Sequence, residues 1–452
     1  MIGPAKDEFV PHPVKDQLPG VDYCINSNPS WAEAIILGFQ HYLVMLGTAV
    51  IIPTIIVPQM GGGNVEKVQV IQTLLFVSGV NTLLQSWFGT RLPVVIGGSF
   101  RFIIPAVFIA LSNRYNTYLD PHQRFKQSMR SMQGALMISS VLPILAGFLG
   151  VWRIVTRFLC PLSKAPLVLL VGIGLYEQDF PLLGECVEIG LPELVLLILL
   201  SQFIPHMWKL KQPIFERFAV LLSVGIVWGF ASLLTVAGAY KNRLRSVAEL
   251  IALGLLVDLH GLSMFLNGLW GNHHENIGLL AMTRIGSRRV IQISAVFMLF
   301  FSVLGKFGAI LASIPLPIIG ALYCVLFALM SAAGFDLLQF CYRTKFILGF
   351  SIYMGLSVPQ YFKGYVITTG RGPVQSRSAT FDQIMQVIFT SPATVAGVIA
   401  YFLDTTLARS HPLTWKDSGR HWWAKFKYFG RDPRSEEFYF LPYGLSKYFP
   451  SV

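Results

Sequence analysis

Apolar runs of about twenty residues recur along this chain, as in "WAEAIILGFQHYLVMLGTAVIIPTIIV" at 31–57. That is the length a helix needs to cross roughly 30 Å of hydrocarbon. In lipid every backbone polar group must be satisfied internally, so long apolar runs joined by short loops select helices. Candidate spans are 31–57, 68–88, 92–111, 131–150, 158–175, 191–204, 218–239, 290–314, 317–338, 346–361 and 387–403. A weaker segment, 250–270, and a short stretch, 277–282, lie between them. Composition agrees, since 54% of the 452 residues are hydrophobic and 13% charged, where soluble domains carry about 25%. The expected fold is an all-α polytopic membrane protein.

The net charge of +12 does not point to nucleic acid. The basic residues gather in short loops, "WKLKQPIFER" (208–217), "TRIGSRR" (283–289) and "YRTK" (342–345), which is the positive-inside bias of cytoplasmic loops. Cys24, Cys160, Cys186, Cys324 and Cys341 are scattered without CxxC spacing, so neither a metal knuckle nor a disulfide framework is indicated. Asp258, His260, His273, His274 and Glu275 lack the tight spacing of a metal site. No Ser-His-Asp arrangement or phosphate loop marks an enzyme.

The expected organisation has five parts. Residues 1–30 form a polar, proline-rich cytoplasmic segment, and 31–240 a first transmembrane half. Residues 241–271 form a junction with one weak segment, 272–405 a second half, and 406–452 a basic, aromatic cytoplasmic tail.

Two apolar elements are interrupted alike. "RLPVVIGGSFRFIIP" (91–105) is broken at Gly97 and Gly98, and "GNHHENIGLLAMTRIG" (271–286) at Gly271 and Gly278. Short, glycine-broken segments in the two halves of a transporter point to a binding site near the bilayer midplane. Broken backbone at that depth is tolerated where it lines a cavity, and half-helix N-termini there offer free N–H groups and partial positive charge. The plainer alternative is glycine at ordinary helix–helix contacts.

Glu275-Asn276-x-Gly278-x4-Thr283-Arg284 resembles the signature of the nucleobase–ascorbate transporter family, and Gln40-His41 resembles its first-helix Gln-His pair. "DYCINSNPSW", "QTLLFVSGVNTLLQSWFGTRLP", "GLYEQDFPLLGECVEIGLPELVLL" and "EEFYFLPYGLSKYFPSV" resemble the plant branch, so the likeness covers nearly the whole chain. It implies fourteen segments in two inverted repeats of seven, arranged as core and gate domains. It also implies a plasma-membrane homodimer carrying uracil, xanthine and other purines, or ascorbate, with H+ or Na+ as coupling ion and no cofactor. Glutamate rather than proline at the first motif position points to a nucleobase.

Glu275, Asn276, Gly278, Ser99 and Phe100 are the candidate substrate-binding residues, and Gln40, His41, Thr283 and Arg284 are motif or structural positions. A carboxylate at Glu275 can accept two N–H bonds from a uracil or xanthine ring, and Phe100 can stack on its face. The alternative for Glu275 is a helix cap at the water boundary. His41 reads either as a group holding the substrate-binding core or as a satisfied structural histidine. Asn276 is expected to bond backbone within the broken region, and Arg284 to end the half-helix at the cytoplasmic face. Arg101 departs from the small or hydroxyl residue usual in the family.

Between Ala239 and Gly271 the resemblance breaks. The family has a long loop and two spanning segments there, and this chain aligns with only the second. The eighth segment, with its substrate-binding glutamate, is missing. If 250–270 spans and the motif half-helix completes a crossing, "TRIGSRR" falls outside, against the positive-inside bias. Either 250–270 is re-entrant or poorly inserted, the favoured alternative because Glu249, Asp258 and His260 make it a weak span, or the second half is strained or inverted. Loss of transport, or association with full-length relatives as a non-transporting paralogue, follows as an alternative to a working symporter.

Overall fold

In the computed structural model the described residues are 22–98 except 26 and 28, 103–111, 120–149, 160–207 except 175, 214–237, 274–304, 314–335, 342–369, 372–376 and 378–406. Among them the chain is helical, with one isolated parallel bridge, Tyr23 to Ile285. The all-α polytopic reading holds.

α1 (Trp31–Gln59) opens at Ser30, whose hydroxyl accepts the Glu33 N–H at 3.4 Å. Its 29 residues reach about 43 Å at 1.5 Å per residue, so Met45 marks its middle. Both its ends serve as reference faces, the near face at Trp31 and the far face at Gln59. α2 (Asn64–Trp87) returns from the far face, with the Glu66 carboxylate accepting the Gly63 N–H at 2.9 Å. Residues 92–98 are non-helical, and α3 (Ile103–Ala110) ends against Val57 and Met60 at the far face. α4 (Pro121–Phe148) starts there too, with Phe125 in the same apolar cluster.

α5 (Pro161–Ile173), α6 (Tyr176–Gly184) and α7 (Val187–Ile198, continued by a π-helical turn Leu199–Phe203 and by Ile204–Met207) lead to α8 (Ile214–Val236). α9 (His274–Thr283) is short. α10 (Arg288–Val303), α11 (Leu316–Ala333), α12 (Tyr342–Thr369), α13 (Ala379–Thr390) and α14 (Pro392–Thr406) complete the described set. The core runs between α1 and α11, where Tyr42, Met45, Ile318, Leu322, Tyr323 and Leu326 are buried. The outer faces are apolar, as lipid requires: Ile138 is 77% exposed, Leu233 70% and Val303 75%. Water would penalise such a surface; hydrocarbon does not.

Three elements differ from the sequence expectation. The run 387–403 is not one span: α13 and α14 meet at 85°, because Ser391-Pro392 removes a backbone donor and turns the preceding residue extended. Residues 176–184, too polar to read as a span, form α6. α4 begins ten residues before the apolar run at 131, in the polar stretch PHQRFKQSMR. The weak segment 250–270 and the tail from 407 lie outside the described residues.

Candidate functional site

The two broken elements rest on one face of α1. Gly97 lies against the Met45 side chain, so closely that a Cβ there would collide with it. Asn276 lies against His41, with His41 Nδ1 and Asn276 Oδ1 2.9 Å apart and both residues buried. His41 and Met45 are four residues apart, on one side of the helix and about 6 Å along its axis. The backbone at Gly97 and that at Asn276 thus converge near mid-depth.

Their half-helices run in opposite directions from there. α3 heads to the far face, ending at Ala110 beside Met60. α9 spans ten residues, about 15 Å or half a bilayer, and ends at Arg284 on the near face. Both N-termini, with their free N–H groups and positive dipole ends, therefore belong to the middle of the membrane.

Non-helical backbone at this depth needs partners, and α2 supplies them. The Ile96 N–H donates to Thr82 Oγ1 at 2.8 Å while the Thr82 hydroxyl faces the Ile96 carbonyl at 3.3 Å. Nearer the surface Gln85 Nε2 donates to the Leu92 carbonyl at 3.1 Å. These two side chains do what a helical ladder does elsewhere.

Asn276 does not bond backbone, as the sequence suggested. Its carbonyl oxygen can only accept, so His41 carries the proton on Nδ1 and keeps the Nε2 lone pair free. The Asn276 amide nitrogen is buried and has no hydrogen-bond partner. Two N–H donors are thus unspent beside an imidazole acceptor. Gly278 is explained by proximity: a Cβ there would run into the Leu326 carbonyl, with the Leu326 carbonyl carbon at 2.6 Å. Only glycine lets α9 lie this close to α11.

Gln40 Nε2 donates to the Arg217 carbonyl at 3.1 Å, tying α1 to the start of α8, and its own carbonyl oxygen is buried without a partner. The Thr283 hydroxyl donates to the Leu279 carbonyl at 2.9 Å. Arg284 leaves the helix with φ +56°, a left-handed conformation unusual outside glycine. Glu275 lies in the first turn of α9, next to Asn276, and its side chain is outside the described residues. So are Ser99, Phe100 and Arg101.

Arg284 also settles which face "TRIGSRR" occupies. Its guanidinium pairs with Glu216 at 3.2 Å. The Asp22 N–H donates to the Arg284 carbonyl at 3.0 Å, the Gly286 N–H to the Tyr23 carbonyl at 2.8 Å and the Arg288 N–H to the Ile25 carbonyl at 3.2 Å. Arg217 bridges Asp22 (2.9 Å) and Glu33, and Arg289 lies over the Trp31 ring at 4.6 Å. The motif's basic end therefore shares the near face with residues 22–33 and the start of α8 at Glu216 and Arg217. "TRIGSRR" and residues 22–33 lie on one face, so the two are on the same side of the membrane.

The chain matches the sequence profile of the Permease family (Xan_ur_permease) in two stretches, residues 32–252 and 204–364. It is 50% identical to nucleobase-ascorbate transporter 4 of Arabidopsis thaliana, over 98% of this chain and 99% of that protein. The chain belongs to the nucleobase–ascorbate transporter family. Nucleobase-ascorbate transporter 7 of Arabidopsis thaliana (50%, covering 99% and 97%) and nucleobase-ascorbate transporter LPE1 of Zea mays (47%, covering 99% and 99%) are similarly related, which places it with the plant branch. As a nucleobase–ascorbate transporter family member it is an integral membrane transporter and not an enzyme. The alignment with the first of these relatives runs to 520 positions against 452 residues here, so at least 68 positions have no counterpart in this chain. Because that alignment reaches 99% of the relative, the shortfall is internal.

The sequence reading missed two features of this site. Thr82 and Gln85 look like ordinary polar residues in an amphipathic span, and nothing local announces that they serve a distant backbone. Glu193, buried in α7, was legible as a lone acid in "GLPELVLLILL".

Proposed function

We propose that this chain carries nucleobases (uracil, xanthine and other purines) across the plasma membrane by symport with a cation, H+ or Na+, as a homodimer. The observation that carries this reading is the His41–Asn276 pair at mid-depth, where the first helix meets the start of a half-helix and leaves a buried amide donor unspent. A planar base offers alternating carbonyl acceptors and N–H donors, so Asn276 Nδ2 answers a ring carbonyl and His41 Nε2 a ring N–H. Glu275, in the first turn of α9, supplies the carboxylate for further ring N–H groups. Ser99 and Phe100, from the other broken element, provide backbone N–H and a stacking face, and Gly278 fixes the depth of α9 against α11. Glutamate at the first motif position favours a nucleobase over ascorbate. Uptake of radiolabelled uracil or xanthine by cells lacking their own carriers tests the reading: saturable uptake that excess ascorbate leaves untouched supports it, and uptake competed by ascorbate alone overturns it.

A second reading has its own observation, the internal shortfall of at least 68 positions relative to a 50% identical relative. The eighth segment, with its glutamate, is the part we assign to that shortfall, between 239 and 271. On this reading transport is impaired and the chain associates with full-length carriers to modulate them. Absence of uptake, together with co-purification with a full-length paralogue, supports it. Robust uptake by this chain alone overturns it.

A further inference from the structure

Three carboxylates in the described interior, Asp179, Glu193 and Asp404, have no role in the candidate site, and Glu193 is the most deeply buried of them. Glu193 sits on α7 in the middle of the buried stripe Ile189, Gly190, Glu193, Leu197, where packing calls for an aliphatic side chain. It is 0% exposed. Among the described residues neither of its oxygens meets full hydrogen-bond geometry, and the Ser223 hydroxyl is near enough to interact with it. Its neighbour across the interface is Ser223 on α8, whose hydroxyl is already spent on the Val220 carbonyl at 3.2 Å. Ser223 lies nine residues into α8, about 14 Å from the near face, the depth of His41 and Asn276. Ala219, Val220, Val224 and Val227 complete the buried stripe of α8.

Among the described residues no counter-charge is paired with this carboxylate. On its own helix Glu188 is engaged with Cys186. On α8, Glu216 pairs with Arg284, and Arg217 with Asp22 and Glu33, at the near face. On α6 and α11, Asp179 and Cys324 neighbour each other, and Tyr323 points its hydroxyl at the Val44 carbonyl. A carboxylate left charged and alone in such surroundings costs several kcal/mol or more, and ionisable groups inside a membrane are functional by default. What neutralises it must be small. A sodium ion needs several oxygen ligands, and the described residues around this carboxylate, a single serine in an aliphatic seam, do not provide them. A proton needs only the carboxylate itself. Six residues on, α7 passes into the π-helical turn Leu199–Phe203, a break in helix regularity frequent at functional sites.

We propose that Glu193 is the proton-carrying group of this transporter. When the α7–α8 seam is hydrated from one face, the carboxylate takes a proton from hydronium, giving the neutral acid and water. When it is hydrated from the other face, the acid returns that proton to water. This rests on the cation-coupled reading above and chooses H+ over Na+.

The test uses the full chain in lipid nanodiscs and in proteoliposomes. Infrared difference spectra between acidic and alkaline buffer should show a protonated-carboxyl C=O band in the wild type that E193Q removes and E193D retains at a shifted position. In proteoliposomes, a proton gradient should raise internal uracil or xanthine several-fold above the external level with the wild type. E193Q should reduce this to the level reached without a gradient while keeping base-for-base exchange. A band indifferent to E193Q, or gradient-driven accumulation equal in the two proteins, overturns the proposal, as does accumulation driven by sodium alone. Should neither protein move a base, the transport reading fails, and the infrared comparison still decides Glu193. If E193Q does not fold, the position of the band in E193D against wild type decides it.

Discussion

Replacing Gly278 by alanine adds one methyl group where the structure has no room for it. The new Cβ would sit 2.6 Å from the Leu326 carbonyl carbon and 2.8 Å from its Cα, roughly 1 Å inside the ~3.5 Å at which carbon atoms rest against each other. The obstacle is backbone of α11, so no rotamer change relieves it, and α9 must move away by about that distance. Asn276 is two residues up the same helix, and about 1 Å added to its 2.9 Å bond with His41 exceeds the usual hydrogen-bond range of ~3.2 Å. Overpacking typically costs about 1–3 kcal/mol, and a buried unpaired donor a further ~1–3 kcal/mol. Set against these, alanine gains about 1 kcal/mol over glycine in helix propensity. The net expectation is a loss of about 1–5 kcal/mol. The comparison is Gly225→Ala in α8, where a Cβ meets nothing within 4 Å, so propensity acts alone. Apparent melting midpoints in detergent, read by fluorescence-detected size exclusion at one heating time, should place G278A well below wild type and G225A at or above it. G278A melting with G225A would refute the close-approach account of this motif position.

Three further outcomes follow from the same geometry. Asn276→Ala and His41→Ala should each cost about 1–3 kcal/mol of stability, and the double variant should cost clearly less than the two together, measured as a double-mutant cycle; simple additivity would deny the bond. Thr82→Val keeps the shape of the side chain but orphans the Ile96 N–H, so a loss of about 1–3 kcal/mol is expected from the same melting assay, against a near-neutral Thr73→Val on the exposed face of α2, where the hydroxyl bonds only its own helix. A cysteine at Arg284, half exposed at 55%, in a background without the native cysteines, should react with an impermeant maleimide from the side that holds the N-terminus; labelling from the opposite side would contradict the pairing of residues 22–25 with 284–288.

Much of the architecture was legible because lipid leaves the sequence few choices. Runs such as 31–57 and 218–239 have one solution in hydrocarbon, and their observed helices differ by a few residues at the ends. The glycine breaks at 97–98 and 278 were legible as interruptions, and what they permit, a Met45 side chain and a Leu326 carbonyl lying where a Cβ would be, is tertiary and was not. Ser391-Pro392 carried a readable warning that the hydrophobic average across 387–403 drowned out. The Asn276 partner lies 235 residues away, beyond any local pattern, and the expectation of a backbone bond came from treating the broken segment as self-contained. The placement of "TRIGSRR" was ambiguous because it depended on counting crossings through 241–271, whereas the contacts of Arg284 with Glu216 and of Gly286 with Tyr23 fix it directly.

His41 and Met45 occupy successive turns of a single rod, and each holds one of the two interrupted segments. A rotation or slide of that rod carries both along in step. The two polar edges of a bound ring would then be read by parts that keep their spacing while the rest of the bundle moves around them, so recognition can persist through the cycle instead of being rebuilt at each end of it.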